Sequence, residues 1–311
     1  MQVASCRLQV GCRPFEPYEP YEPYEPYEPY EPYEPYEPYE PLNLTNLILS
    51  VICSLLFVFL KDMEEKETII RSKLLSSFPE IVHAMSTMLG GCENPPFFNN
   101  LSYRVGDDEG TVKQNRDKFF NSLGIENSRL AIPQQVHSAN VRIVDVPGYY
   151  KDFDALITSK KDVYLIISTA DCYPVLVYDK VNKIVSAIHS GWRGTQKKIL
   201  TNAIAIMTNE LGSRAENLVV FIGPGISKDK FEVGKEVAEM FEDKYVYPSL
   251  GKYYIDLKSN ILDQLASLGV SISNIEFSGL CTYCEEDYLH SYRRDRESSG
   301  RMFSVIGMKG N

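Results

Sequence analysis

The sequence predicts an α+β fold, a mixed sheet with outer helices forming one globular domain behind a low-complexity leader. Three observations carry this. Short β-rich runs recur without a Gly-rich phosphate loop between them. Two of these runs are joined by a turn too short for a crossover helix. Three amphipathic helical stretches lie among the strands rather than alternating with each one. Such an order suits a mixed sheet with outer helices better than a doubly wound parallel sheet.

Taken in order, residues 68–78 read as a strand or a short helix. Gly90-Gly91 and Pro95-Pro96 mark loops. Gly110 to Leu123 reads as a helix with Val112, Phe119, Phe120 and Leu123 on one side and Gly124 as its stop. Val141 to Val146 is a short strand. Val163 to Ser168 is a buried strand by its continuous apolar, β-branched run. Val175 to Tyr178 and Ile184 to Ile188 flank the polar turn Asp179-Lys180-Val181-Asn182-Lys183. The pair is therefore expected to fold back on itself. Thr195 is read as the cap of a helix whose stripe is Ile199, Ala203, Ile206, Met207 and Leu211, ended by Gly212. Leu218 to Ile222 is a buried strand before the turn Gly223-Pro224-Gly225. Asp256 caps a helix with Leu257, Ile261, Leu262, Leu265 and Leu268 inward, and Gly269 stops it. Val270 to Phe277 and Phe303 to Ile306 are the last strands.

The N-terminal part differs in kind. Residues 16–41 hold eight tandem Glu-Pro-Tyr units and a final Glu-Pro. A Pro at every third position fixes φ and removes a backbone donor, so the tract is expected to be extended and coreless. The apolar run 42–60 is diluted by Asn43, Thr45 and Asn46 and is borderline for a membrane span, which needs about 20 apolar residues. It makes a poor signal peptide, since an acidic tract precedes it. Met63-Glu64-Glu65-Lys66 has the look of an ordinary start. Residues 1–62 are thus expected to be a non-globular leader to a self-sufficient unit, 63–311. The expected setting is cytoplasmic, with anchoring through 42–60 as the alternative.

The net charge of −10 over 311 residues is unevenly placed. Residues 1–62 contribute −7, leaving −3 for the rest and no basic face for nucleic acid. Seven cysteines, at 6, 12, 53, 92, 172, 281 and 284, form no dense framework and suggest a reducing compartment.

The chemistry-bearing residues converge on three segments: Gln134 to Ser138, Ala170 to Val175 and His189 to Gly194. They offer His137, Cys172 and His189, and the chain has only four His in all. Two imidazoles and one thiol match a catalytic zinc site, which takes three protein ligands and leaves a position open. The same residues also suit a Cys–His nucleophile pair. Spacing alone leaves both readings open, and with them that of three unrelated residues. The turn joining Val175–Tyr178 to Ile184–Ile188 lies at one end of those strands, which puts Cys172 and His189 at the other. Asp171 would face away from Cys172 if the strand continued, or would cap a turn. Trp192 is the single Trp and suits either a pocket floor or core packing. Arg193, in a Gly-Trp-Arg-Gly loop, has anion-binding potential. His83 and His290 sit in apolar settings and read as structural. Cys281-Thr282-Tyr283-Cys284 is a lone C-x-x-C, half of a zinc site at most; it opens no evident helix after a strand in the thioredoxin manner and reads as structural or incidental thiols. Arg293-Arg294-Asp295-Arg296 reads as a solvated loop or a substrate contact.

Several motifs stand in one order: Gln135-Val136-His137, Asp154-Ala155-Leu156-Ile157-Thr158, Ala170-Asp171-Cys172 with Pro174-Val175, His189 with Gly191-Trp192-Arg193-Gly194, Ile222-Gly223-Pro224 and Ser291-Tyr292-Arg293-Arg294. Gly106-Asp107-Asp108 with Asn115-Arg116 precedes them. By these the chain resembles the bacterial purine nucleoside phosphorylase family once named multicopper polyphenol oxidase, or laccase-domain, proteins. The resemblance covers about residues 68–308. It implies the α/β/β/α sandwich and a zinc enzyme that phosphorolyses adenosine, inosine, guanosine and 5′-methylthioadenosine, with adenosine deamination as a second activity. It implies His137, Cys172 and His189 as metal ligands. Purine nucleosides and phosphate are the implied partners. Tyr173 and His290 depart from the residue types usual in the family, which bears on substrate preference. Copper is the alternative metal, but four His are few for a multicopper cluster.

Overall fold

The computed structural model describes residues 67–92 and 94–310, all within the unit Met63–Asn311. The Glu-Pro-Tyr repeats and the apolar run 42–60 lie outside the described residues. Among the described residues, no helix is long and apolar enough to cross a membrane.

The strands, in chain order, are β1 (Ile69–Ile70), β2 (Ile81–Ser86), β3 (Leu130–Gln134), β4 (Val141–Ile143) and β5 (Gly148–Lys151). Then come β6 (Ala155–Thr158), β7 (Tyr164–Thr169), β8 (Tyr173–Asp179), β9 (Ile184–Ser190) and β10 (Leu218–Ile222). Last are β11 (Glu232–Val233), β12 (Val246–Ser249), β13 (Lys252–Ile255), β14 (Ile275–Phe277) and β15 (Met302–Met308). The helices are α1 (Lys73–Ser76), α2 (Glu109–Ser122), α3 (Trp192–Gln196), α4 (Ile199–Asn209), α5 (Lys235–Ala238), α6 (Leu257–Ser267) and α7 (Tyr292–Asp295).

Two six-stranded sheets form the frame, ordered β1-β2-β15-β7-β3-β5 and β14-β10-β8-β9-β6-β4. Each mixes parallel and antiparallel pairs; β3 runs parallel to β7, whereas β8 and β9 are antiparallel. A small third sheet orders β11-β13-β12.

Burial assigns the layers. Leu165, Ile167 and Ile306 of the first sheet pack on Leu156, Leu176, Val185 and Phe221 of the second. Alternate residues point the other way. Ile157, Val175 and Ile188 meet Ile199, Ala203 and Met207 of α4 and Ile261 and Leu265 of α6. Val82, Ala84, Ile166 and Val305 meet Phe119 and Phe120 of α2. Strands buried on both faces read as continuous apolar runs, which is why β7, β8, β9 and β10 lack alternation. The result is the expected α/β/β/α sandwich.

The β8–β9 hairpin positions the site. Its turn is tied by Asp179 Oδ1, which accepts the amides of Val181 (2.9 Å) and Asn182 (3.0 Å). Register then pairs Pro174 with His189 and Tyr173 with Ser190, so Cys172 and His189 share one end, as expected.

Several local expectations change. Thr195 does not cap α4. It sits inside α3, where its hydroxyl donates to the Gly191 carbonyl at 2.9 Å. The helical stretch breaks at Lys198, whose φ of 60° starts α4 afresh. Val270 to Phe277 is a strand only from Ile275, because a 3₁₀ turn, Ile272–Asn274, precedes it. Of the 141–146 strand, Val141–Ile143 forms as β4, and the Val144 amide adds one bond to the Ile157 carbonyl at 2.8 Å. Residues 68–78 split into β1 and α1. The Asp256 cap holds, accepting the Ser259 amide at 2.9 Å.

Candidate metal site and catalytic cavity

His137, Cys172 and His189 come together. Their candidate donor atoms all lie within 4.8 Å of one another. His137 is exposed, Cys172 half-buried and His189 buried, so the cluster opens on one side. The two imidazole rings meet edge to face, centroids 4.8 Å apart.

Each ligand is delivered by a strained or supported backbone. His189 ends β9, with its ring fixed by the carboxylate of Asp154. His189 Nδ1–H donates to Asp154 Oδ1 at 2.8 Å, which leaves Nε2 for the cluster. His137 has φ of 58°, a left-handed conformation that costs a β-carbon residue energy. The same Asp154 holds that turn: it accepts the amides of Val136 (3.2 Å), His137 (3.0 Å) and Ser138 (2.6 Å), and the Ser138 hydroxyl (2.7 Å). Cys172 follows Asp171, which is also left-handed at φ 92°. Asp171 accepts the Thr282 hydroxyl at 2.8 Å and the Arg293 amide at 2.6 Å. It thus locks two distant loops to the thiol's own segment, a capping role rather than a ligand's. Gly191 completes the cradle. A Cβ there would stand 2.7 Å from Cys172 Sγ and 3.3 Å from His137 Cδ2, so only glycine lets thiol and imidazole close over the backbone.

The electrostatics favour a thiolate. Burial alone pushes the Cys172 thiol up. The charge of His189, with hydrogen bonds from His137 and His189, outweighs it and brings the thiol down to about 6. His189 moves oppositely. Burial disfavours its charge, but Cys172 and Asp154 raise it to about 9. Burial likewise pushes Asp154 up, and its bonds to His189 and Ser138 overcome that, to about 2. The donor set fits a divalent, borderline-soft ion. It comprises one thiolate and two imidazoles, with one ring steered by a carboxylate in the manner usual for metal-ligating His.

The cluster lies in the wall of a cavity of about 700 Å³. Trp192, Phe231, Tyr292 and Phe303 supply aromatic lining; Arg104, Arg116, Arg193, Arg293, Arg296 and Arg301 supply positive charge. The acids in the lining are Asp171 and Glu297. Both are engaged, Glu297 by the Tyr292 hydroxyl at 2.9 Å. An acidic chain has therefore gathered its arginines around one cavity, which focuses the field on anions. Arg116 is braced over the Tyr103 ring at 4.2 Å and donates from Nε to the Leu101 carbonyl at 2.7 Å. Arg193 lies over the Trp192 ring at 4.3 Å.

His137, Cys172, His189, Trp192 and Arg193 all line this cavity. Arg293 and Arg296 of the Arg-Arg-Asp-Arg run line it too, whereas Arg294 turns away to the carbonyls of Thr282, Tyr283 and Leu289. His83 and His290 lie elsewhere, buried in the core. Burial pushes them down, to about 4 and about 3 respectively, against weaker opposing or reinforcing charges. Sequence reasoning had no role for Asp154, nor for Gln135, whose amide clamps the Ser168 backbone with two 2.8 Å bonds. It also missed the arginine rim, whose members come from separate segments. The one available signal was Asp154's place at the head of the Asp-Ala-Leu-Ile-Thr strand.

The sandwich and this cluster together define a class: an α/β protein with a candidate His–Cys–His metal centre in an arginine-lined cavity. Comparison with known proteins makes it particular. The family model described as multi-copper polyphenol oxidoreductase laccase matches residues 82–309, and the chain belongs to that family. A Bacteroides thetaiotaomicron protein named purine nucleoside phosphorylase is 36% identical over 253 residues, covering 75% of this chain and 93% of that relative. A protein named adenosine deaminase RL5, from an unknown prokaryotic organism, is 32% identical over 250 residues, covering 74% and 95%. The crystal structure of YlmD from Geobacillus stearothermophilus matches with a TM-score of 0.74 at 28% identity, over 80% of this chain and 98% of that one.

Proposed function

We propose that this chain is a zinc-dependent purine nucleoside phosphorylase. It would convert adenosine, inosine, guanosine or 5′-methylthioadenosine and phosphate to the free base and ribose 1-phosphate (5-methylthioribose 1-phosphate for the last), and would deaminate adenosine as a second activity. The observation that carries this is the juxtaposition of the His137–Cys172–His189 cluster with the arginine and aromatic lining of one cavity. Relatives bearing the phosphorylase and deaminase names support it.

His137, Cys172 and His189 would hold the metal. A zinc ion bound there supplies Lewis acidity and activates water at neutral pH. The remaining work belongs to the chain. Cleaving the glycosidic bond builds positive charge on the ribose and negative charge on the purine. Arg193 and neighbouring guanidiniums hold phosphate against the sugar carbon, converting an encounter of two solutes into an oriented reaction. Trp192 and the other aromatic rings offer faces for the flat base. Asp154 keeps His189 in one tautomer and one orientation. Set in the cavity wall, these charges act at fixed positions on the substrate rather than through reorienting water.

A second reading rests on the same cluster: Cys172 as nucleophile with His137 or His189 as base, a hydrolase or amidase. A covalent Cys172 adduct on turnover distinguishes it. The copper-oxidase reading is weaker. His83 and His290 lie apart from the cluster, which leaves two imidazoles where a polynuclear copper centre needs many. Incubating the protein with adenosine, with and without phosphate, tests the main reading. Phosphate-dependent release of adenine supports it, and phosphate-independent hydrolysis contradicts it.

A further inference from the structure

The Cys281-Thr282-Tyr283-Cys284 turn lies outside the metal cluster, and the proposed reaction uses neither thiol. The structure makes the two cysteines partners. The Cys284 amide donates to the Cys281 carbonyl at 3.1 Å, an i to i+3 turn that brings the two α-carbons within about 7 Å. A disulfide needs α-carbons about 4.4–6.8 Å apart, so closure asks little of the backbone. Cys284 is exposed and Cys281 half-buried, so one sulfur meets solvent and the other stands behind it.

The surroundings favour chemistry at Cys281. The Ser227 amide donates to its sulfur at 3.3 Å, a bond that strengthens with negative charge on the acceptor. Burial pushes this thiol up, and the Ser227 bonds reverse the shift to leave it low. The turn is also held firmly. Cys281 bridges Gly225, the Thr282 amide donates to the Gly225 carbonyl at 3.2 Å, and Arg294 Nη1 donates to the carbonyls of Thr282 and Tyr283 at 2.9 and 3.1 Å.

We propose that Cys281 and Cys284 form a reversible dithiol–disulfide site that exchanges with small-molecule disulfides. The step balances. One thiolate attacks the incoming disulfide RSSR and expels RS⁻, and the second cysteine attacks the resulting mixed disulfide and expels the other RS⁻. Two protein thiols are oxidised, and RSSR is reduced to two RSH. The site adjoins the cavity. Thr282, between the two cysteines, donates its hydroxyl to Asp171, the residue before Cys172, so covalent closure of the turn bears on the cavity wall. None of this depends on the reaction proposed above.

The test equilibrates the full chain with glutathione and glutathione disulfide at a series of ratios. Acid quenching, alkylation and trypsin follow. Ser259–Arg293 is a tryptic peptide that carries these two cysteines and no others. Toward oxidising ratios it is expected to refuse alkylation, weigh about 2 Da less than the dithiol and revert with dithiothreitol. Cys281→Ser and Cys284→Ser are each expected to keep one glutathione instead. A wild-type peptide that stays fully alkylatable across the series, or that itself keeps glutathione, overturns the proposal.

Discussion

The buried carboxylate of Asp154 and the imidazole of His189 meet at 2.8 Å, and the same carboxylate accepts the backbone amide of His137 at 3.0 Å. One acid therefore orients one candidate ligand by its ring and the other by its main chain. Supporting carboxylates of this kind typically contribute about 10–100-fold in metal affinity. Asp154→Asn, which sets an N–H against donors on one side of the group, is expected to weaken zinc binding by at least that much, read by chelator competition. Asp154→Ala leaves several amides unpaired as well and is expected to destabilise by roughly 1–3 kcal/mol for each group left without a partner. Zinc affinity unchanged in Asp154→Asn would remove Asp154 from this role.

Cys172→Ala should abolish zinc binding and turnover together. The loss of rate is expected to be on the order of a thousandfold or more, the scale of the several kcal/mol a metal supplies. Metal analysis and initial rates on the same sample read both. Full activity in a zinc-free Cys172→Ala protein rules out the metal role.

Gly191→Ala tests the cradle. Its new methyl would press on the Cys172 sulfur, so zinc affinity and rate are expected to fall without a comparable loss in the urea midpoint. The control is Gly212→Ala, at a left-handed glycine with open space around it and outside the cavity. That change is expected to cost stability alone, through strain. The opposite pattern, with Gly191→Ala costing stability only, contradicts the packing described for thiol and imidazole.

Much of the fold was legible because its central strands are buried on both faces. Val163 to Ser168, Leu218 to Ile222 and the hairpin around Asp179 announce themselves as continuous apolar runs, and the hairpin alone brings Cys172 beside His189. Cysteine and histidine are rare here and stand out. The rest is hidden for physical reasons. Asp154 works through a ring 35 residues later and amides 16–18 residues earlier, which no local pattern records. The arginine rim gathers from separate segments with no shared motif. Edge strands such as β1 and β11 have two residues each, too few for a period. Thr195 looked like a cap because its hydroxyl suits one, yet the left-handed Lys198 restarts the helix after it.

Histidine burial predicts the pH dependence of stability. His83 and His290 are held down to about 4 and about 3, below their ordinary 6.5. Below pH 6.5 the unfolded chain takes up protons that the folded chain refuses. Their contribution to stability should therefore be level above pH 6.5 and fall as pH drops from there toward 4. The slope is about 1.4 kcal/mol per pH unit for each histidine. Urea midpoints at pH 7 and pH 5 measure it. His290→Phe should remove about half of the slope, and an unchanged slope refutes the assignment.

The central claim is metal-dependent phosphorolysis in the arginine-lined cavity. Its most direct measurement supplies adenosine to zinc-loaded and chelator-stripped protein, with and without phosphate, and separates the products by chromatography. Adenine and ribose 1-phosphate are expected only where zinc and phosphate are both present. A smaller yield of inosine is expected wherever zinc is present. Adenine with free ribose in the absence of phosphate, or undiminished turnover after zinc removal, contradicts the claim.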